Sequence, residues 1–188
     1  MFRNRWLVLF GVIAVIGLLV WGWRRGSGGA STIDLVQMLP QAEKRSSPVP
    51  PDQAIKVVRV TINGETKTCI TEQAHGRITF RLTPPPDSWF NAAIALDPSV
   101  WDKEGDGVLF RLGVSDGKTK YEELLNQHVD PAGNPSDRRW IPVVLDLSPW
   151  AGREIYLILN TNASVPGRPP DLRNDLALWG APAIVVGR

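Results

Sequence analysis

The chain is poor in the residues that build covalent frameworks and metal centres: of 188 residues, one is cysteine and two are histidine. A lone thiol, Cys69, excludes an internal disulfide and any cysteine-rich zinc site. It sits in an apolar, β-rich stretch and is expected to be a small core residue, since free cysteines are usually buried. The two histidines, His75 and His128, fall in no recognisable triad pattern.

Acidic residues are missing before Asp34, whereas Arg3, Arg5, Arg24 and Arg25 flank an uncharged run, WLVLFGVIAVIGLLVWGW, from Trp6 to Trp23. Setting those four aside leaves 17 of the 21 basic residues against 19 acidic ones. The pI of 8.9 therefore belongs to the N-terminal segment, and the rest is slightly acidic. No clustered basic face of the kind a nucleic-acid binder needs remains. Eighteen residues at ~1.5 Å each reach about 27 Å, close to the hydrocarbon thickness of a bilayer. Trp6, Trp21 and Trp23 suit its two interfaces.

Residues 6–23 are thus expected to be a retained transmembrane helix that makes the lipid bilayer a partner. A cleaved signal peptide fits less well. Its apolar core is usually ~7–15 residues and ends at a small-residue site, and here Arg24 and Arg25 separate the run from Gly28–Ala30. No cysteine stands directly after the run, which excludes a lipoprotein. The charge balance places residues 1–5 in the cytoplasm as a short tip, and the remainder outside it, in the periplasm or at the cell surface.

Residues 24–53 read as a linker with a short helix. A Gly/Ser tether leads to Ser31 and Asp34, a capping signal, with Ile33, Leu35, Val36 and Leu39 along one side and Pro40 ending the turn. No long helical pattern follows residue 45. From Ala54 to the end, at residue 188, short β-branched and aromatic runs alternate with turn residues. Strands are expected near 55–62, 66–71, 77–82, 90–96, 108–114, 121–129, 140–147, 154–160 and 176–185. Asn63-Gly64 marks a hairpin, because a type I′ turn needs positive φ at both positions. The fold class is all-β: a jelly-roll-like antiparallel β-sandwich at 54–188 preceded by one transmembrane α-helix.

Few residue sets carry chemistry. GVSDG at 113–117 matches the nucleophile-elbow pattern, which works only on a strand-to-helix turn of a parallel sheet. With strands on both sides, Asp116-Gly117 is expected to be a hairpin turn instead. Asp102, Glu104 and Asp106 stand at alternate positions before Gly107, as at the start of a loop holding a structural calcium ion, although no EF-hand follows. Of the domain's tryptophans, Trp140 and Trp179 lie inside apolar runs and are expected in the core. Trp89, Trp101 and Trp150 lie at loop–strand junctions and are the candidate ligand-binding positions. The segment 171–175, DLRND, reads as a solvated turn with local ion pairs.

In order, GRITFRL at 76–82, IALDPSVW at 94–101, GDGVLF at 105–110, LDLS at 145–148, WAGR at 150–153 and ALWGAP at 177–182 resemble galactose-binding-domain-like jelly rolls. The likeness extends to the extracytoplasmic jelly rolls of bacterial membrane and cell-surface proteins and to glycosidase-associated carbohydrate-binding modules. It covers roughly residues 31–186 and implies sugar binding and a structural calcium ion. The expected function is a non-catalytic, membrane-anchored interaction module. Its first reading is an accessory subunit contacting other membrane or surface proteins, its alternative a cell-surface glycan-binding module, and a hydrolase is a weak third.

Overall fold

The alternating runs pair as two antiparallel sheets in the computed structural model, which describes residues 32–73, 75–163, 167 and 169–187. The strands in chain order are β1 (Thr32–Asp34), β2 (Glu43–Ser46), β3 (Val57–Ile62), β4 (Glu65–Gln73), β5 (Gly76–Leu82) and β6 (Ser88–Leu96). They continue with β7 (Val108–Ser115), β8 (Tyr121–Val129), β9 (Ile141–Asp146), β10 (Ile155–Asn162) and β11 (Leu176–Val186). One sheet runs β3-β4-β11-β6-β9 with β1 also on β11, and the other runs β2-β5-β10-β7-β8. The expected sandwich is present, and its strands fall close to the predicted runs.

Positive φ at Asn63 (51°) and Gly64 (83°) makes the β3–β4 connection the type I′ hairpin that the dipeptide encodes. In β5 and β10 every second residue is buried, so each has one face on the core and one outward.

The boundary at Ala54 moves. β1 and β2 come from the segment expected to be a linker, and each pairs with one of the sheets. The sandwich therefore takes in the segment from Thr32 onward. These strands are three and four residues long, too short to show a period of two, and their partners' backbones hold them in place. The short helix α1 (Leu35–Met38) is capped by Asp34, whose Oδ1 accepts from the Val36 N–H at 2.8 Å. The expected transmembrane run at 6–23 and the tip at 1–5 lie outside the described residues. Among the described residues no helix is long and apolar enough to cross a membrane.

Trp179 of β11 centres the core. Its ring meets Phe110 of the opposite sheet edge-on at 5.2 Å between centroids, and Phe90 at 6.4 Å. Its Nε1 donates to Oε2 of Glu72 at 2.7 Å, and both residues are fully buried. Burial pushes the Glu72 carboxyl up to about 8, against the opposing effects of the Trp179 bond and the Arg77 charge. Trp140 is not the expected core residue. It is half-buried, with Nε1 donating to the Glu65 carbonyl and the Lys67 ammonium 5.8 Å from its ring centre. An apolar run cannot tell a ring laid over an outer face from one inside the sandwich.

Cys69 is fully buried, and burial raises its thiol to about 11. The native protein is expected to leave a disulfide-exchange reagent unreacted at pH 8 until denaturant is added. Prompt stoichiometric labelling in native buffer would contradict this placement.

Candidate functional site

The sandwich has two ends, and antiparallel pairing sorts the loops between them. At one end β7 finishes, β8 begins, β9 finishes and β10 begins. There a cavity of about 670 Å³ opens, lined by Val114 and Ile155 together with Tyr121, Trp150, Glu122 and Arg153. Asp116, Thr119, Lys120, Pro149 and Glu154 complete its walls.

Each wall has a local cause. β9 ends at Asp146, whose Oδ1 accepts the Ser148 N–H at 2.8 Å and starts a single turn, Ser148–Trp150. That turn presents the half-buried Trp150 ring, and Arg153 folds back to donate to the Pro149 carbonyl. Across the opening, Asp116 Oδ1 accepts the N–H groups of Lys118, Thr119 and Lys120. Those bonds, the Lys118 one foremost, hold its carboxyl below the usual range. The turn they fix delivers Tyr121.

Tyr121 is 50% exposed. Its ring lies over Gly113 on the outer face of the five-stranded sheet, where an added Cβ would collide with the phenol. The Tyr156 ring lies in the same way against Gly117, whose φ is 72°. Partial burial raises the Tyr121 phenol, with Glu123 adding to it and Arg111 and Arg77 opposing.

The predicted ligand-binding tryptophans are not brought together. Trp150 lines the cavity. Trp89 is half-buried in β6, paired with Asp146 and Val185 at the same end but outside the cavity wall. Trp101 lies at the opposite end, packed on the core, its Nε1 donating to the Leu96 carbonyl at 2.9 Å.

The three carboxylates expected to hold calcium also part. Asp102 pairs with Arg138 at 2.9 Å and Glu104 with Arg173 at 3.0 Å, while Asp106 keeps a buried, unpartnered Oδ1. Alternate positions share a side only in an extended strand, and residues 101–104 form turns. Among the described residues, no three His, Cys, Asp or Glu side chains stand close enough to hold a metal ion. Close to Asp106, Asp175 is 4% exposed with both oxygens unpartnered. Burial, with the Asp106 and Asp171 charges, raises its carboxyl to about 7.

Ser115 of the elbow-like motif ends β7 in a hairpin, its Oγ accepting the Gly117 N–H. It pairs with Tyr121, whereas His128 pairs with Leu109. Six strand residues, about 20 Å at ~3.4 Å each, separate the serine from that histidine.

Sequence reasoning missed Tyr121, Lys120, Glu122 and Arg153. One signal was available for Tyr121: a glycine inside a strand, here Gly113, marks a close approach by another group.

No family model matches the chain. An uncharacterized protein of Archaeoglobus fulgidus is 41% identical over 102 residues, 53% of this chain and 24% of that protein. The match thus spans about a quarter of the relative's length. Among solved structures, CBM51-2 in complex with GlcNAc, with INT domains, from Clostridium perfringens ZmpB superposes with a TM-score of 0.56 at 15% identity. It covers 83% of this chain and 32% of that one. CBM51 from Clostridium perfringens GH95 in complex with methyl-galactose gives 0.52 at 15% identity, covering 82% of this chain and 99% of that one. The chain has the β-sandwich fold of these carbohydrate-binding modules.

Proposed function

We propose that the domain is a non-catalytic carbohydrate-binding module that takes a neutral sugar in the cavity between Tyr121 and Trp150. The carrying observation is the cavity's chemistry: two aromatic rings, with Arg153, Lys120, Glu122, Asp116 and Glu154 around them. Ring faces suit the C–H face of a pyranose, and the charged groups suit its hydroxyls, the mixture expected of a small-ligand site. The fold likeness to modules solved with GlcNAc and methyl-galactose supports the same reading. The uncharged run at 6–23 supports a membrane tether that holds the module outside the cytoplasm.

The accessory-subunit reading has less support. A protein-docking face would present a contiguous apolar patch of several hundred Å². The exposed large apolar residues among those described are Val57, Tyr121, Val144 and Leu172. Val57 and Val144 lie on opposite edge strands of one sheet, Tyr121 on the other sheet and Leu172 in a loop.

The test is a glycan array followed by titration calorimetry on the full chain in non-ionic detergent, with methyl-galactoside and GlcNAc among the probes. At least one neutral glycan is expected to bind, with Trp150→Ala and Tyr121→Ala each weakening it tenfold or more; because Trp150 also packs on the core, its variant is titrated below its own unfolding transition. Absence of any glycan binding, or unaltered affinity in both variants, would overturn the reading.

A further inference from the structure

The outer face of the five-stranded sheet, on which Tyr121 also lies, carries a second arrangement, with a groove that shares no lining residue with the cavity at the β8 start. Register places Arg45 opposite Arg77, Arg77 opposite Asn160, Asn160 opposite Arg111 and Arg111 opposite Asn126. One residue from each of five adjacent strands therefore stands in a single row, about 19 Å long at ~4.8 Å per strand. Every member donates hydrogen bonds, and none is acidic.

At the β2–β5 edge the row opens into a groove of about 280 Å³. It is lined by Arg45, Arg77, His75, Asn160, Asn162 and two serines, without a carboxylate. Ser47 and His75 exchange both backbone hydrogen bonds, at 3.1 and 3.0 Å, which fixes one side. His75 Nδ1 and Asn162 Oδ1 lie 3.2 Å apart.

The cations differ in how far they are already satisfied. Arg111 is held by Glu123, and Arg45 by Glu43 at 2.6 Å in an exposed pair. Arg77 is exposed and has no carboxylate partner among the described residues. Arginine's planar fork matches a carboxylate or sulfate with two parallel bonds. Amide side chains beside it suit the hydroxyls on the same sugar.

We infer that this groove, extended along the Arg45–Arg77–Asn160–Arg111–Asn126 row, binds an acidic glycan by its oxyanions. The ligand class is a polysaccharide bearing uronate carboxylates or sulfate esters, and Arg77 is its principal anchor. Charge complementarity selects it: a neutral sugar gains little from an unpaired guanidinium, whereas an oxyanion in the groove meets Arg77, Asn160 and Asn162 with no carboxylate in the lining. Glu43 and Glu123 stand beside the row and already hold Arg45, Arg111 and Asn126, which is why Arg77 leads.

The experiment titrates the full chain in non-ionic detergent with an oligogalacturonate, its methyl-esterified counterpart and a sulfated oligosaccharide. Vesicles with and without phosphatidylglycerol form a separate arm. Oligogalacturonate or the sulfated chain is expected to bind, and the esterified chain to bind at least tenfold more weakly. Affinity should fall as salt is raised, because exposed charges are screened. Arg77→Gln and Arg45→Gln are surface changes expected to preserve folding. Each should weaken the acidic glycan, Arg77→Gln by tenfold or more, whereas Trp150→Ala should leave it unchanged.

Equal binding of the esterified chain, or full affinity in Arg77→Gln, would overturn the inference. So would loss of acidic-glycan binding in Trp150→Ala, which would move that ligand to the other cavity, or binding confined to the anionic vesicles. Neutral-sugar binding at Tyr121 and Trp150 stands or falls on its own variants.

Discussion

Trp179→Ala is expected to lower the unfolding free energy by about 3–5 kcal/mol, the range for deleting a large buried aromatic side chain. The site gives reason to place it at the upper end. The ring is fully buried, joins the two sheets through its edge-on contact with Phe110, and meets Phe90 within its own sheet. Its loss leaves a cavity between rigid strands and also removes the Nε1–H that serves Glu72. Trp179→Phe separates the two effects, since it keeps most of the packing and loses only the donor. Denaturant unfolding of both variants checks this. A cost below about 1 kcal/mol for the alanine variant would mean that the ring does not organise the core.

Glu72→Gln is expected to change how stability depends on pH. The Glu72 carboxyl, held up to about 8 from an ordinary value of 4.5, stays protonated in the fold at pH values where the unfolded chain has released that proton. Its folded value is raised, so its contribution is complete below the unfolded value and is lost as pH rises through the folded one. Between about pH 5 and 8 stability should fall by roughly 1 kcal/mol per pH unit from this group alone. Asp175, raised to about 7, acts with the same sign below that value. Glutamine cannot ionise and keeps a carbonyl to accept from Trp179, so the variant should lose stability more gently over this interval. Urea midpoints for both proteins at pH 5, 6, 7 and 8 provide the measurement. Parallel curves would show that Glu72 does not carry its proton into the fold.

The fold was legible where local rules were strong. Asn63-Gly64 can hardly avoid a type I′ turn, and alternation such as Ile78, Phe80 and Leu82 against Thr79 and Arg81 allows one orientation of a half-buried strand. β1 and β2 were not legible, because three or four residues show no period and owe their pairing to β11 and β5. The cavity was half legible. Trp150 stands out as a bulky residue in a turn signal, but whether Trp89, Trp101 and Trp150 share a surface depends on which end each strand finishes, which composition does not encode. Tyr121 reads as an ordinary strand residue until Gly113 is seen beneath it. The row of arginines and asparagines was invisible for the same reason. Its members span positions 45 to 126, and only the register of five strands aligns them.

The bare backbone under Tyr121 sets fold robustness against recognition at a single position. A glycine in mid-strand is the residue a stabilising screen would replace first, since almost any side chain favours extended backbone more. At Gly113 even a methyl group would lift the phenol from its seat and tilt the surface it offers to a ligand. Selection for a sturdier sandwich and selection for a flat aromatic ledge therefore pull in opposite directions at this point on β7. A relative that kept the strand but filled the position would be expected to have given up this part of the mouth.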